Sequence, residues 1–342
     1  MKTFIIAEAG VNHNGSLETC KKLIDVSVKA GADAVKFQTF KADKLVTSDA
    51  DKARYQIENT GTSESQIEML RQLELSQNAH KDLFAYCRQK NILFLSTPFD
   101  EESVDMLDEL GMEIFKVSSG EITNKPLIQY IASKKKPIIL STGMSYLGEV
   151  ENALSWIDDK WNSLNIKPQL TILHCVSSYP ARIEDVNLRA IKTMEIAFGV
   201  PVGYSDHTLG IEVAIAAVII GAKVIEKHFT LDRDMDGPDH KASLEPEELS
   251  AMITAIRNVE KAMGDGVKKP TESERDTKKT VRRSLVTARE IKAGEIISPD
   301  NIFEKRPGTG ISAEFKDTVV GMKSGVDISV GSVIKWEDLK HA

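Results

Sequence analysis

The chain is poor in the features that mark several protein classes. Its three cysteines, Cys20, Cys87 and Cys175, stand far apart and in no Cys-x-x-Cys or finger spacing. That excludes a disulfide framework and a thiolate metal cluster, and leaves reduced thiols as the simplest account. No apolar run approaches the roughly 20 residues of a membrane span. Met1-Lys-Thr passes straight into the β-rich Phe4-Ile-Ile-Ala, which fits no secretory leader, so the expectation is a cytoplasmic protein. No block of Lys and Arg occurs and the net charge is −7, which argues against a general nucleic-acid surface. A small anionic ligand stays open, because a few local lysines decide that. Neither Gly-x-Gly-x-x-Gly nor a Walker motif occurs, so a nucleotide is not indicated.

What the chain does have is regular alternation. A hydrophobic share of 41% and a charged share of 28% over 342 residues suit one large α/β domain with a smaller one attached. Short β-rich runs fall at 4–9, 34–40, 93–97, 114–118, 137–142, 170–176, 201–205 and 224–229. Helix-like stretches separate them, at 17–30, 78–90, 101–110, 126–134, 148–158, 186–197, 211–220 and 247–263. Asp100 and Asn124 read as helix caps, and Gly31, Gly111 and Gly221 as helix stops. Eight strand–helix units in about 260 residues match a TIM (β/α)8 barrel. An open doubly wound sheet is the alternative, and the missing dinucleotide glycine pattern disfavours it.

In a barrel the chemistry sits at the C-terminal strand ends and the loops after them. The polar residues fall there: Glu8 with Asn12-His-Asn-Gly15, Lys36 and Gln38 two apart on one face, and Ser96-Thr-Pro98. Further along come Lys116 with Ser118-Ser-Gly-Glu121, Ser141-Thr-Gly-Met144 and His174-Cys-Val-Ser-Ser-Tyr179. The stretch 200–240 is the densest. Gly203-Tyr-Ser-Asp-His-Thr208 and Val224-Ile-Glu-Lys-His-Phe-Thr230 flank an apolar helix-like run, and Asp236-Gly-Pro-Asp-His240 follows. Strand, helix, strand puts His207 and His228 at the same end of neighbouring strands, where two imidazoles suit a divalent cation with open positions, Mn²⁺ or Zn²⁺. Two core histidines are the alternative. A lysine inside a barrel strand is costly unless it is paired or faces a ligand. Lys36 and Lys116 therefore mark either a pocket for a small, multiply charged anion such as phosphate, or internal ion pairs with Glu8 or Glu226. Cys175 is read as core packing rather than as a soft ligand.

Residues 41–77 are too many for an ordinary βα loop. With Tyr55-Gln-Ile-Glu-Asn-Thr-Gly and the helix-like Ser65-Gln-Ile-Glu-Met-Leu-Arg-Gln-Leu, they read as a wall or lid over the pocket. Composition shifts after residue 264: 265–280 reads as a polar linker, and 281–342 as a small β-rich module with short strands at 284–288, 296–297, 319–320 and 333–335. Within it Lys305-Arg-Pro-Gly-Thr-Gly-Ile311 is a basic, glycine-bearing loop suited to a polar ligand.

Taken together these residues resemble the bacterial sialic acid synthases. The resemblance runs from Ile6-Ala-Glu-Ala-Gly-Val-Asn-His-Asn-Gly15 through Lys36-Phe-Gln-Thr-Phe40, Ser96-Thr-Pro-Phe99 and Ser119-Gly-Glu121. It continues through Ser141-Thr-Gly-Met144, Tyr204-Ser-Asp-His-Thr208 and Glu226-Lys-His-Phe-Thr230 to Lys305-Arg-Pro-Gly-Thr-Gly310. The C-terminal module resembles the SAF, or antifreeze-like, domain of those enzymes. The resemblance implies a transferase that condenses phosphoenolpyruvate with an open-chain 2-acetamido sugar to give a nine-carbon α-keto acid and phosphate. It implies His207 and His228 as metal ligands, with Mn²⁺ first and Mg²⁺ or Co²⁺ as alternatives. Lys36, Gln38, Thr97, Lys116, Ser119, Ser141 and Ser205 match substrate-binding positions, and Glu8 matches a carboxylate beside the reacting atoms. Glu121, Tyr179 and Asp239 match sugar contacts. Arg306 matches an arginine that reaches the sugar's N-acyl group from the other subunit of a domain-swapped homodimer. Ser177 departs from the pattern, since some relatives carry Asn there.

The chemistry fits the residues. An enol phosphate attacking an aldehyde needs a Lewis acid at the aldehyde oxygen, and water must meet the charge that builds at C2, where a carboxylate such as Glu8 can orient or deprotonate it. The rivals are a metal-dependent hydrolase or aldolase, which would not need two strand-borne lysines, and a non-catalytic sugar-binding protein, which the polar barrel face argues against. N-acetylmannosamine is the expected acceptor, because Tyr179, Asp239 and the loop 176–178 are polar. The alternatives are the 2,4-diacetamido-2,4,6-trideoxymannose that leads to legionaminate, and pseudaminate synthesis.

Overall fold

The computed structural model describes residues 2–340 except 54, 55, 58 and 60–64. It divides into two compact units, Met1–Gly264 and Asp265–Ala342. The first is built on strands β1 (Phe4–Gly10), β2 (Ala34–Thr39), β3 (Leu93–Pro98), β4 (Phe115–Val117), β5 (Ile138–Ser141), β6 (Leu170–Cys175), β7 (Val202–Asp206) and β8 (Val224–His228). They form one sheet in the order β3-β2-β1-β8-β7-β6-β5-β4, parallel at every ladder, and β3 and β4 lie against each other at the two ends, so the sheet curls into a nearly closed barrel. The local signals act as their chemistry requires. Asp100 and Asn124 accept the backbone N–H of Ser103 and Leu127, and Gly31, Gly111 and Gly221 close their helices at φ 84°, 93° and 117°.

Side chains alternate between the two faces of each strand, and this period of two builds the site. The outward set packs beneath the surrounding helices as the main core. The inward set begins with an apolar layer of Ile6, Ala34, Leu95, Ile139, Leu173 and Val224, with Ile114 packed against it. Two residues further along the same strands stand Glu8, Lys36, Thr97, Ser141, Cys175, Glu226 and Lys116. An apolar plug therefore gives way, within one step of about 6.6 Å along each strand, to a polar floor.

Helix boundaries differ from expectation by more than one residue in two places. The helix expected at 148–158 runs Leu147–Ser163, and the one expected from 186 begins only at Ala190. In the second case a short 3-10 turn, Ile183–Asp185, and Asn187 at φ 48° come first. The long segment after β2 carries helices Ala42–Leu45 and Gln66–Leu73, the second opened by a Ser65–Glu68 capping box. Met69 and Leu73 pack on Val11 and Phe40. Part of the motif 55–61 lies outside the described residues.

In the second unit the expected linker is not structureless. Thr271 and Glu274 cap each other ahead of helix Arg275–Val281. Strand β9 (Ser284–Thr287) pairs antiparallel with β10 (Ile302–Lys305), and β11 (Lys323–Ser324) with β12 (Leu339–Lys340). Residues 319–320 are not a strand: Val319 ends the short helix Lys316–Val319, where it is buried in a core with Leu285, Ile297, Ile302 and Ile334. Positions 296 and 333 contribute single bridges only. β-propensity located apolar residues but not their backbone state, which packing decided.

Candidate active site

Parallel register sets the first contacts. Glu8 on β1 lies opposite Lys36 on β2 and His228 on β8, and Ser205 on β7 lies opposite Glu226 on β8. Lys36 Nζ is 2.8 Å from Glu8 Oε2 and 3.7 Å from Glu226 Oε2, and Lys116 Nζ is 3.6 Å from Glu226 Oε1. Hydroxyls complete the arrangement. Lys36 donates to Thr97 Oγ1 at 3.1 Å, Lys116 to Ser141 Oγ at 2.7 Å, and Ser205 to Glu226 Oε1 at 3.0 Å. All four charged side chains are buried.

Two carboxylates sharing two ammonium groups do not share them equally. Burial pushes Glu8 up well beyond the usual carboxylate range, against the pull of Lys36, and Glu226 pushes the same way. Burial also opposes the charge on Glu226, but Lys116 and Lys36 together hold its carboxyl below the usual range. Burial likewise opposes the charge on Lys36, where Glu226 and Glu8 outweigh it and raise the ammonium's pKa. On Lys116 burial wins and lowers it. Glu8 Oε2 and Glu226 Oε2 are buried and make no well-aligned hydrogen bond, so the Lys36 ammonium, at 2.8 Å and 3.7 Å, is what offsets the cost of burying them.

These groups floor a cavity of about 350 Å³. Of the residues singled out in the sequence, Glu8, Lys36, Gln38, Thr97, Lys116, Ser119, Ser141, Tyr179, Ser205, His207 and His228 line it together. Asp239 is buried beside it, 3.9 Å from His228 Nδ1, and burial raises its carboxyl to about 6. Glu121 does not line the cavity: its carboxylate accepts from Asn124 Nδ2 at 2.7 Å. Arg306 belongs to the second unit, where it is exposed at the end of β10. Glu226, expected only as an ion-pair partner, proves to be the residue that both lysines meet. Its place two residues before His228 on one strand face was the available signal. Ser118, Met144 and Phe99, which stand inside the strand-end motifs, and Ser177, the departure from the family pattern, also line the cavity without having been assigned a role, and Ala53 brings the segment after β2 to its wall.

His207 and His228 have ring centroids 5.5 Å apart, and the Tyr179 ring lies 4.1 Å from that of His207, tilted by 36°. Burial drives both imidazoles down, His207 to about 4, so both are neutral at ordinary pH. His207 Nδ1 lies 2.6 Å from the Val176 carbonyl, which can only accept, so Nδ1 carries the proton and Nε2 keeps its lone pair. His228 Nδ1 is buried without a hydrogen-bond partner. Neutral rings with lone pairs turned inward are the form that ligates a divalent ion. Among the described residues no group of three or more His, Cys, Asp or Glu side chains is arranged to hold a metal, and these two rings are the imidazole donors the cavity offers. Behind β8 the alternate residue, Lys227, is fully buried and donates to Asp206 Oδ2 at 2.8 Å and to the Thr208 carbonyl at 2.5 Å. Asp206 Oδ1 in turn accepts the N–H and hydroxyl of Thr208. This pair fixes the backbone on both sides of His207.

The NeuB family model matches residues 23–268, and the SAF domain model residues 282–340. The chain belongs to the NeuB family. Two N,N'-diacetyllegionaminic acid synthases are similar to it. That of Campylobacter jejuni is 54% identical over 312 residues, spanning 91% of this chain and 92% of its own. That of Legionella pneumophila is 47% identical over 340 residues, 99% and 95% of the two chains. The crystal structure of N-acetylneuraminic acid synthetase from Leptospira borgpetersenii matches 81% of this chain and 90% of that one, with a TM-score of 0.70 at 37% identity. As a NeuB family member the chain is an enzyme, a transferase of the phosphoenolpyruvate-condensing sugar acid synthases. Among the described residues of this NeuB protein no helix is long and apolar enough to cross a membrane.

Proposed function

We propose that the chain is an N,N'-diacetyllegionaminate synthase, joining phosphoenolpyruvate to the aldehyde of 2,4-diacetamido-2,4,6-trideoxymannose with release of phosphate. The observation that carries the condensation is one cavity holding two buried lysines, two carboxylates of unequal acidity and two neutral imidazoles. The acceptor rests on the two diacetyllegionaminic acid synthases, at 54% and 47% identity. They favour the diacetamido sugar over the N-acetylmannosamine expected from the polar loop. Ser177 lines the cavity, and a side chain as small as serine at that position is compatible with an acetamido group on the acceptor.

In this reading Lys36, Gln38, Thr97, Lys116, Ser119 and Ser141 hold the carboxylate and phosphate of phosphoenolpyruvate. An incoming anion competes with Glu8 and Glu226 for the lysines, which raises the proton affinity of both carboxylates further. C3 of the enol attacks the aldehyde carbon, the C=C pair becomes the new C–C bond, and the aldehyde oxygen takes the proton that burial keeps on Glu8. Water then adds at C2 and returns a proton to the Glu8 carboxylate, which burial makes the stronger base of the two. The bond from C2 to the phosphate oxygen then breaks, the C2 hydroxyl proton leaves with the phosphate, and the 2-keto acid remains. His207 and His228 would hold a divalent cation, Mn²⁺ or alternatively Mg²⁺ or Co²⁺, which when bound supplies a Lewis acid at the aldehyde oxygen. Tyr179, Asp239 and Ser205 complete the acceptor side, with Glu121 at its edge. Arg306, exposed in its own unit, is assigned to the N-acyl group of a sugar bound by the second chain of a domain-swapped homodimer.

The test is competition between the two sugars, read as the ratio of kcat/KM with phosphate release as the signal. The diacetamido sugar should be preferred by about 100-fold or more, the scale on which a site separates substrates differing by single polar groups. A ratio favouring N-acetylmannosamine would return the acceptor to that sugar.

A further inference from the structure

A second cavity, of about 640 Å³, lies beside the first and is the larger of the two. It opens between the segments that follow β5 and β6, at the first turns of helices Leu147–Ser163 and Ala190–Phe198. Its lining contains no Asp or Glu and one permanent cation, Arg189. The Arg189 guanidinium and the Asn187 amide are exposed and have no hydrogen bond or ion pair to the described residues. His174 supplies the complementary group. Its Nε2 lies 2.6 Å from the Val186 carbonyl and must donate to it, which leaves Nδ1 as an acceptor in the neutral ring. Val150 and Met194 form an apolar wall.

An unpaired guanidinium, an amide, an imidazole acceptor and an apolar wall without any acid are the parts that recognise a carboxylate carried on a polyhydroxylated ring. The two cavities also touch. Met144, held at φ 62°, lines both. Cys175 lines the second, and its thiol is 3.1 Å from the Ser119 hydroxyl of the first, which also accepts the Gly143 N–H at 3.0 Å. A ligand that shifts Met144 or Cys175 therefore moves Ser119.

We propose that this cavity is a second binding site, for a small sugar acid, and that its occupancy is felt in the catalytic cavity through Met144 and the Cys175–Ser119 contact. The ligand that fits is of the class of the enzyme's own product, a choice that rests on the proposed function. The experiment is isothermal titration of the full-length protein with the purified nine-carbon α-keto sugar acid, with inorganic phosphate as a separate arm. Wild type, Arg189→Ala and Arg189→Glu are compared, and initial rates are measured with added sugar acid. Wild type should show two binding events per chain. Arg189→Ala should weaken one of them by about 10- to 100-fold, the scale of a lost charge-assisted hydrogen bond, and Arg189→Glu should abolish it. Both variants should keep the wild-type rate without added sugar acid and lose a non-competitive part of its inhibition. A single event per chain, or inhibition that is purely competitive and the same in all three proteins, overturns the proposal. Binding of phosphate at the Arg189 site as tight as that of the sugar acid overturns the sugar-acid assignment. Failure of all three proteins to turn over phosphoenolpyruvate with either acceptor sugar would instead count against the proposed function, since the titration needs no turnover.

Discussion

Lys36 touches both carboxylates of the site, at 2.8 Å and 3.7 Å, and its loss should be felt twice. Lys36→Met removes a cation that Glu8 has no close substitute for. Breaking a buried pair in this way costs about 3–5 kcal/mol. The raised pKa of Glu8 places the expected loss at the lower end, because the orphaned carboxyl can take up a proton. Adding Glu8→Gln should restore most of the stability and none of the phosphoenolpyruvate turnover. Urea unfolding of the single and double variants, with phosphate release measured in parallel, checks both halves. Equal stability of the two variants would mean that Lys36 and Glu8 are not energetically coupled.

At the scale of elements, β7 reaches its neighbours only because position 203 has no side chain. A Cβ there would lie 2.5 Å from the Val224 carbonyl oxygen and 2.6 Å from Leu173 Cδ2, and the oxygen is backbone that cannot step aside. Gly203→Ala should therefore cost about 3 kcal/mol, the upper range for overpacking, and displace Ser205 from Glu226. Gly148, in the first turn of Leu147–Ser163, meets nothing within 4 Å. Gly148→Ala is the matched control and should stabilise by about 0.5–1 kcal/mol through helix propensity alone. Thermal melts of the pair should move in opposite directions.

For the whole molecule, the six described histidines all have lowered pKa values, His13, His207 and His240 to about 4. Burial is the largest cause for each. A base whose folded pKa lies below its unfolded value contributes stability that is present above about 6.5 and lost as pH falls through about 4. Glu8 and Asp239, both raised, act with the opposite sign, since their contribution is lost as pH rises. Six groups against two leave a net loss, so the urea midpoint should fall between pH 7 and pH 5 in metal-free protein. A midpoint that rises over that window would refute the assignment of neutral buried imidazoles. The proposed exchange of C-terminal units between chains belongs to this scale as well. Mixing an Arg306→Ala chain with a Lys116→Ala chain should restore activity in heterodimers, whereas exchange without recovery would place Arg306 outside the partner's site.

The sequence by itself determined the eight-strand barrel, because strand and helix periods, caps and stops are local and each is written within a few residues. It also determined that polar residues stand at the strand ends, and with them the resemblance to the sialic acid synthases. The tertiary structure decided how those residues share charge. The ion pairs read for Lys36 and Lys116 form, and the same two lysines line a cavity, because register and closure bring Glu226 between two lysines from different strands. Period two tells which face a residue takes but not which strand it will meet. Val319 shows the same limit, being apolar and buried as expected but helical where a strand was read. The cavity at Arg189 left no mark in the sequence either. It is space left where two βα units fail to pack against each other, and only three-dimensional packing creates it.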